Sequence, residues 1–270
     1  MIKLIALDLD GTLMYTDHIT VTDGNRQALK RAHDKGVKIA ISTGRTLAIV
    51  GDICEQVPEI DYIIYSNGAA VYDRNQKKNI YTRPMDYDTC APMLKKCIEM
   101  SDFVEVYIDG TDYISKDKAE SFGADFLPKE FAEKLAEQMT PVDDLMAVSQ
   151  GKEIEKITVY IKDDEKRSEL WNELKSRKEF YVASSMPVSM EFTAQGVNKG
   201  TALDGMCKVL GITDENCMAF GDAGNDCEML EFAKYSFAMA NATQKCKKSA
   251  KYDTLSNAED GVAHGINRFI

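Results

Sequence analysis

Residues 4–12 read Leu-Ile-Ala-Leu-Asp-Leu-Asp-Gly-Thr. An apolar run ends here in two carboxylates two positions apart, and a Gly-Thr turn follows. Side chains along a strand repeat with period two, so Asp8 and Asp10 are expected to leave the strand end on the same side. Carboxylates at the C-terminal end of a buried strand lie where open α/β sheets bind ligands. Crowding them is costly unless a cation, or a proton shared with substrate, compensates the charge. The stretch therefore directs attention to a metal and a phosphate.

Working outward, Ile2–Leu7 reads as a buried strand. A helix begins at Asp23, with Ala28, Leu29 and Ala32 at helical spacing, and stops near Gly36. Val37–Ile41 is a second apolar run, ending at Ser42-Thr43-Gly44-Arg45, and another helix follows. Asp61–Tyr65 is a third, ending at Ser66-Asn67-Gly68. Strands alternating with helices imply right-handed βαβ units and a parallel sheet. From Arg83-Pro84 the pattern changes. A helix near Tyr87–Met100 precedes strands near Phe103–Ile108 and Thr111–Ile114, then helices within 117–139. A strand Lys156–Ile161, a helix Glu165–Arg177 and strands near Phe180–Ala183 and Val188–Phe192 complete an α+β insert with an antiparallel sheet. The parallel pattern then resumes with a helix over 199–210 capped by Asn198, strands Cys217–Phe220 and Tyr235–Met239, and a closing helix Gly261–Phe269. The expected architecture is α/β: a Rossmann-like, doubly wound parallel core over 1–82 and 193–270, with an inserted α+β cap over 83–192.

Composition narrows the functional classes. The chain has 270 residues, 44% of them hydrophobic and 29% charged, enough for a packed core in a soluble protein. A net charge of −11 disfavours nucleic acid or an anionic membrane as partner, so an anionic substrate needs a local positive site. No apolar run approaches the ~18 residues of a membrane span, and the opening residues read as a strand rather than a signal peptide. Seven cysteines without a C-x-x-C, and three histidines, give no zinc pattern. Reduced, buried thiols in a cytoplasmic protein are expected, Cys227 among them. His18 and His33 read as surface residues, and Tyr107, Tyr113 and Tyr160 as sheet positions packed mostly in the core.

A calcium loop does not fit. Counted from Asp8, the positions that need an acid, Gly and Glu hold Thr12, Leu13 and Ile19; counted from Asp222, the last two hold Cys227 and Ala233. The remaining pieces favour phosphate. Ser42-Thr43-Gly44-Arg45 offers a hydroxyl and backbone N–H groups at a strand end. Lys199 adds an ammonium to the positive end of a capped helix. Gly221-Asp222-Ala223-Gly224-Asn225-Asp226 places two acids one helical turn apart, with glycines that permit close backbone approach.

In this order the motifs resemble the haloacid dehalogenase-like hydrolases, in particular the Cof-type sugar-phosphate phosphatases with a type-two cap. The resemblance runs the length of the chain and includes Asn257-Ala258-Glu259-Asp260-Gly261-Val262. It implies that Asp8 is the nucleophile and Asp10 the general acid/base. It further implies that Thr43, Gly44, Lys199 and Asn225 bind phosphate, with Asn67 near the substrate. Mg²⁺ is then held by Asp8, the Asp10 carbonyl and Asp222, with Asp226 as a ligand or just behind one. Ala223-Gly224 departs from the family pattern without altering a charged group.

The four aspartates outnumber by one the charge that Mg²⁺ and Lys199 supply. A phosphate dianion is then tolerated if Asp10 holds a proton, so a raised Asp10 pKa is expected as substrate arrives. The expected function is Mg²⁺-dependent hydrolysis of a small phosphate monoester, with the insert selecting the ester and the chain a monomer or weak homodimer. A phosphomutase of the same superfamily and a phosphorylation-switched signalling module are the alternatives.

Overall fold

The apolar run before Asp8 forms strand β1 (Leu4–Leu7), buried at every position. A strand buried on both faces belongs inside a parallel sheet covered by helices. The computed structural model describes residues 1–123, 129–184 and 186–270. After β1 come α1 (Asp23–Asp34), β2 (Lys38–Ser42), α2 (Gly51–Gln56) and β3 (Ile60–Tyr65). α1 starts where the Thr22 side chain accepts the Asn25 N–H, and it buries Ala28, Leu29 and Ala32. β1, β2 and β3 pair in parallel. Two further strands, β4 (Ala70–Asp73) and β5 (Lys78–Thr82), extend this sheet antiparallel. Sequence reading misses them because β5 is a half-exposed edge of polar residues, with no apolar run to mark it.

The next stretch contains β6 (Met85–Asp86), α3 (Tyr87–Met100), β7 (Phe103–Ile108), β8 (Thr111–Ser115) and α4 (Lys116–Ala119). α5 (Lys129–Gln138), β9 (Thr140–Val142), α6 (Leu145–Ser149), β10 (Glu153–Ile154) and β11 (Lys156–Tyr160) follow. α7 (Asp164–Ser176), β12 (Phe180–Ala183) and β13 (Ser189–Ala194) close it. The helices expected within 117–139 are α4 and α5, and part of that span lies outside the described residues. The strand order is β12-β13-β11-β7-β8-β9. All these neighbours are antiparallel except β8 and β9, which pair in parallel.

One face of this second sheet is apolar: Val104, Val106, Ile157, Val159 and Phe192 pack with Leu94 and Cys97 of α3 and with Leu170 and Leu174 of α7. The alternate residues form a buried polar set that includes Glu105, Tyr107, Asp112, Lys156, Thr158, Tyr160 and Glu191. Tyr107 and Tyr160 both donate to Glu105 Oε2, at 2.9 and 3.0 Å. Lys156 Nζ lies 3.5 Å from Glu191 Oε2 and 4.1 Å from the Tyr107 ring centre. Among the described residues, neither oxygen of Asp112 meets a hydrogen-bond donor, and the Glu105 carboxyl stands beside it. Of the three aromatic positions read as sheet residues, Tyr107 and Tyr160 are buried and Tyr113 is half-buried.

The chain then returns to the first sheet through α8 (Lys199–Leu210), β14 (Cys217–Gly221), α9 (Cys227–Phe232) and β15 (Tyr235–Ala238). α10 (Gln244–Ser249), β16 (Tyr252–Asp253) and α11 (Gly261–Ile266) finish it. The completed order is β16-β15-β14-β1-β2-β3-β4-β5. β14 takes the free edge of β1 in parallel register, Leu4 against Cys217 and Leu7 against Phe220. The closing helix is shorter than the apolar pattern suggests. By contacts the chain divides into two compact units: Met1–Arg45, Val50–Thr82 and Asn198–Ile270 form one, and Thr46–Ile49 with Arg83–Val197 the other. All seven cysteines are buried free thiols. Among the described residues, no helix is long and apolar enough to cross a membrane.

Candidate active site

The C-terminal ends of β1, β2, β3 and β14 carry the motif residues. β1 stops at Leu7, so the period-two argument does not extend to Asp10. Asp8 is followed by a wide turn, Leu9–Leu13, closed by Leu13 N–H to Asp8 O at 3.2 Å and Met14 N–H to Leu9 O at 2.9 Å. Asp10 and Gly11 leave helical geometry inside it, and Gly11 has φ +81°. A Cβ on Gly11 would come within 2.4 Å of the Asp222 carboxylate, so only glycine lets the two loops meet.

Lys199 holds the centre. α8 begins there because Asn198 and Thr201 cap each other, which puts the lysine in the first turn. Its side chain is fully buried and donates to Asp8 Oδ1 at 2.6 Å and to Asp226 Oδ1 at 2.7 Å. The other oxygen of Asp226 accepts the backbone N–H groups of Asp222 and Ala223, each at 3.0 Å. Asp226 thereby shapes the loop that carries Asp222. Thr12 Oγ1 donates to Asp222 Oδ1 at 3.0 Å.

Thr43 lies buried at the end of β2, and its hydroxyl accepts the Arg45 N–H at 3.1 Å. Gly44 stands between them. The Asn67 N–H donates to the Thr43 carbonyl at 3.0 Å, and Asn67 holds a left-handed φ of +56°. The Asn67 side-chain oxygen accepts from Asn225 Nδ2 at 3.1 Å, tying the end of β3 to the loop after β14.

Asp10 is arranged differently from the sequence expectation. Arg45 grips it with both arms, Nε to Oδ2 at 2.9 Å and Nη2 to Oδ1 at 2.6 Å, and His18 Nδ1 lies 2.9 Å from Oδ1. Burial works against its charge, but the Arg45 guanidinium and then His18 outweigh it, and the Asp10 carboxyl is held well below the usual carboxylate range. These surroundings favour the charged Asp10 carboxylate; the raised pKa expected from charge counting belongs to the site with the ester bound. That count omits Arg45, a cation quoted in its motif but given no role. His18, read as a surface residue, is a contact of Asp10. No spacing rule in the sequence connects it to the first motif, since a turn with φ +59° at His18 brings it back.

The other acids are pushed the opposite way. Burial, then the Asp226 charge, raises Asp8 to about 7 despite Lys199. Burial, then Asp8 and Asp226, raises Asp222 to about 9. Burial opposes the Lys199 ammonium, yet Asp226 and Asp8 hold its pKa above the usual lysine value. One oxygen from each of Asp8, Asp222 and Asp226 lies within 4.8 Å of the others. A crowded, all-oxygen group short of positive charge is a donor set suited to a hard divalent cation.

A family model for haloacid dehalogenase-like hydrolases matches residues 5–266. The chain belongs to that family. It is 33% identical over 269 residues to the 5-amino-6-(5-phospho-D-ribitylamino)uracil phosphatase YcsE of Bacillus subtilis, spanning 100% of this chain and 96% of the relative. The solved structure of a haloacid dehalogenase-like hydrolase from B. subtilis superposes with a TM-score of 0.88 at 27% identity, over 100% of both chains. The HAD subclass IIB sugar phosphatase BT4131 superposes at 0.82 with 26% identity, over 99% of this chain and 98% of its own. The Cof-type resemblance and the α/β core are thus upheld, and the chain is a phosphatase of the haloacid dehalogenase-like family.

Proposed function

We propose that this phosphatase hydrolyses small phosphate monoesters through an aspartyl phosphate on Asp8, with Mg²⁺ as cofactor. The observation that carries the reading is the Asp8 carboxylate at the end of β1, held at 2.6 Å by a buried lysine and flanked by two further acids. Asp8, Asp222 and the Asp10 carbonyl would hold the metal, with Asp226 fixing their loop and Lys199. When bound, Mg²⁺ supplies positive charge against the phosphoryl oxygens and helps orient them.

An Asp8 oxygen attacks phosphorus while the bond to the ester oxygen breaks, leaving the phosphoryl group on Asp8. The departing alkoxide takes a proton. Water then attacks the aspartyl phosphate, gives up a proton, and inorganic phosphate leaves with Asp8 restored. Asp10, its charged form favoured by Arg45 and His18, suits the second step as base. For the first step it must carry a proton, so binding of the ester has to loosen its hold on Arg45 and His18. Thr43 has its hydroxyl hydrogen to offer a phosphoryl oxygen, and Gly44, Lys199 and Asn225 complete the phosphate site.

Release of p-nitrophenol from p-nitrophenyl phosphate, with acid-quench mass spectrometry of the enzyme, tests the proposal. A phosphoryl group on the Asp8 peptide is expected, and Asp8→Asn abolishes both signals while the protein stays folded. Activity within tenfold of the parent in Asp8→Asn, or a phosphoryl group on a serine or histidine peptide, refutes it. A panel of phosphorylated metabolites that includes the ribitylaminouracil phosphate acted on by the B. subtilis relative then addresses the natural ester.

A further inference from the structure

The C-terminal motif Asn257–Val262 was singled out in the sequence but has no part in the chemistry above. Its contacts converge on the Asp10 turn. Asn241 Nδ2 donates to the Gly11 carbonyl at 2.8 Å, inside the turn. Asn241 Oδ1 accepts the Asn257 N–H at 3.2 Å, and Asn257 Nδ2 donates to the Met14 carbonyl at 3.0 Å, just past the turn. Beyond Met14 the chain forms a small hairpin, with a Met14–Val21 bridge and Tyr15 N–H to Thr20 O at 2.7 Å. Asp17 Oδ1 accepts the N–H groups of Ile19 and Thr20, at 2.9 Å each. The tip of this hairpin is His18, which reaches Asp10. At its base, Thr22 donates to Asp260 Oδ1 at 2.5 Å, and the side chain of Gln56 bonds both Val21 N–H and Ile19 O.

We propose that Asn241 and Asn257 are positioning residues for the phosphatase reaction: the pair fixes one carbonyl inside the Asp10 turn and one just past it, and so sets where the Asp10 carboxyl and the His18 hairpin stand. The inference rests on the proposed aspartyl-phosphate reading. The Gly11 carbonyl lies in a wide turn and the Met14 carbonyl just past it, outside regular helix geometry, and side-chain donors add to the backbone bonds that close the turn. Each is met by an asparagine amide, and the two asparagines are joined to each other. Asn241 is exposed, so its amide is not needed to fill the core.

The test separates formation of the phosphoenzyme from its decay. Asn241→Asp keeps the oxygen that accepts from Asn257 but loses the donor to Gly11. Asn257→Ala loses the donor to Met14. Each variant, with Mg²⁺ and p-nitrophenyl phosphate, is followed by rapid acid quench and mass spectrometry of the Asp8 peptide. Formation with this activated leaving group needs little help from Asp10, whereas decay needs Asp10 as base. Decay is therefore expected to slow by about 10- to 100-fold, the scale on which ~1 Å of misplacement acts, and phosphoenzyme to accumulate, with kcat and KM falling together as decay becomes limiting. General loosening of the fold would instead lower the fraction of active sites and leave both rate constants unchanged. Parent enzyme that forms phosphoenzyme, with variants showing unaltered partition or equal slowing of both steps, overturns the positioning role. Parent enzyme that forms none overturns the proposed reaction itself.

Discussion

Replacing Lys199 by methionine removes the ammonium bonded to Asp8 and Asp226 while keeping much of the buried stem. Both carboxylates are enclosed, and Lys199 meets them at 2.6 and 2.7 Å. Breaking a buried ion pair from one side costs about 3–5 kcal/mol, because the surviving charge has no water to return to. In a unit of this size that is roughly 6–20 °C of melting temperature. The loss depends on pH with a definite sign. Asp8 is already pushed up to about 7 by burial and the neighbouring Asp226, and without Lys199 it is pushed higher still. The fold then binds more protons than the unfolded chain, so the variant recovers stability as pH falls and loses it as pH rises. Thermal unfolding of metal-free parent and Lys199→Met from pH 5 to 8 measures this, with Lys199→Met/Asp226→Asn to test the coupling. The double variant is expected to regain part of the loss. A Lys199→Met penalty under 1 kcal/mol at neutral pH, or one that does not change across the range, refutes the charge balance described here.

Three further outcomes are expected. Asp10→Asn keeps attack by Asp8 on an activated ester but slows hydrolysis of the intermediate by roughly 10²–10⁴, so p-nitrophenyl phosphate gives a burst near one equivalent; parent-like turnover contradicts the base assignment. Activity requires Mg²⁺, and Ca²⁺ inhibits because it prefers longer and more numerous bonds; equal rates with either ion, or full activity in excess chelator, contradict this. In the inserted unit, burial and then the Glu105 charge push Asp112 far above its ordinary value, against the pull of Lys156. Its stability should therefore fall as pH rises above the ordinary carboxylate range, by up to about 1.4 kcal/mol per pH unit for each proton held. Asp112→Asn should flatten that slope in a pH series of melting curves, and an unchanged slope would show that Asp112 holds no proton.

The parallel strands were legible in the sequence because β1, β2 and β3 are buried almost throughout, so each is an uninterrupted apolar run with a polar stop. Those stops contain Asp8, Thr43 and Asn67, Asp222 follows β14, and the structure brings all four to one end of one sheet. Lys199 was legible through its cap. What escaped were partners set by tertiary contact. Arg45 and His18 both reach Asp10, one from the end of β2 and one from a left-handed turn. Nothing in periodicity or spacing encodes a side chain folding back over eight residues. The charged residues on the second sheet escaped for the opposite reason: Tyr107, Tyr113 and Tyr160 were read as core sheet positions, but alternation does not show that Glu105, Asp112, Lys156 and Glu191 are buried beside them.

The central strand has a consequence for how the protein is made. β1 is synthesised well before its second neighbour, β14, which begins at Cys217. At synthesis rates of about 5–20 residues per second, β1 with β2 to β5 waits on the order of ten seconds or longer with one apolar edge unpaired. Such an edge is a template for pairing with other chains. Chains cut short before β14 are therefore expected to be sticky rather than merely inactive. A fragment that stops before β14 should need a holding chaperone that the chain with β14 does without.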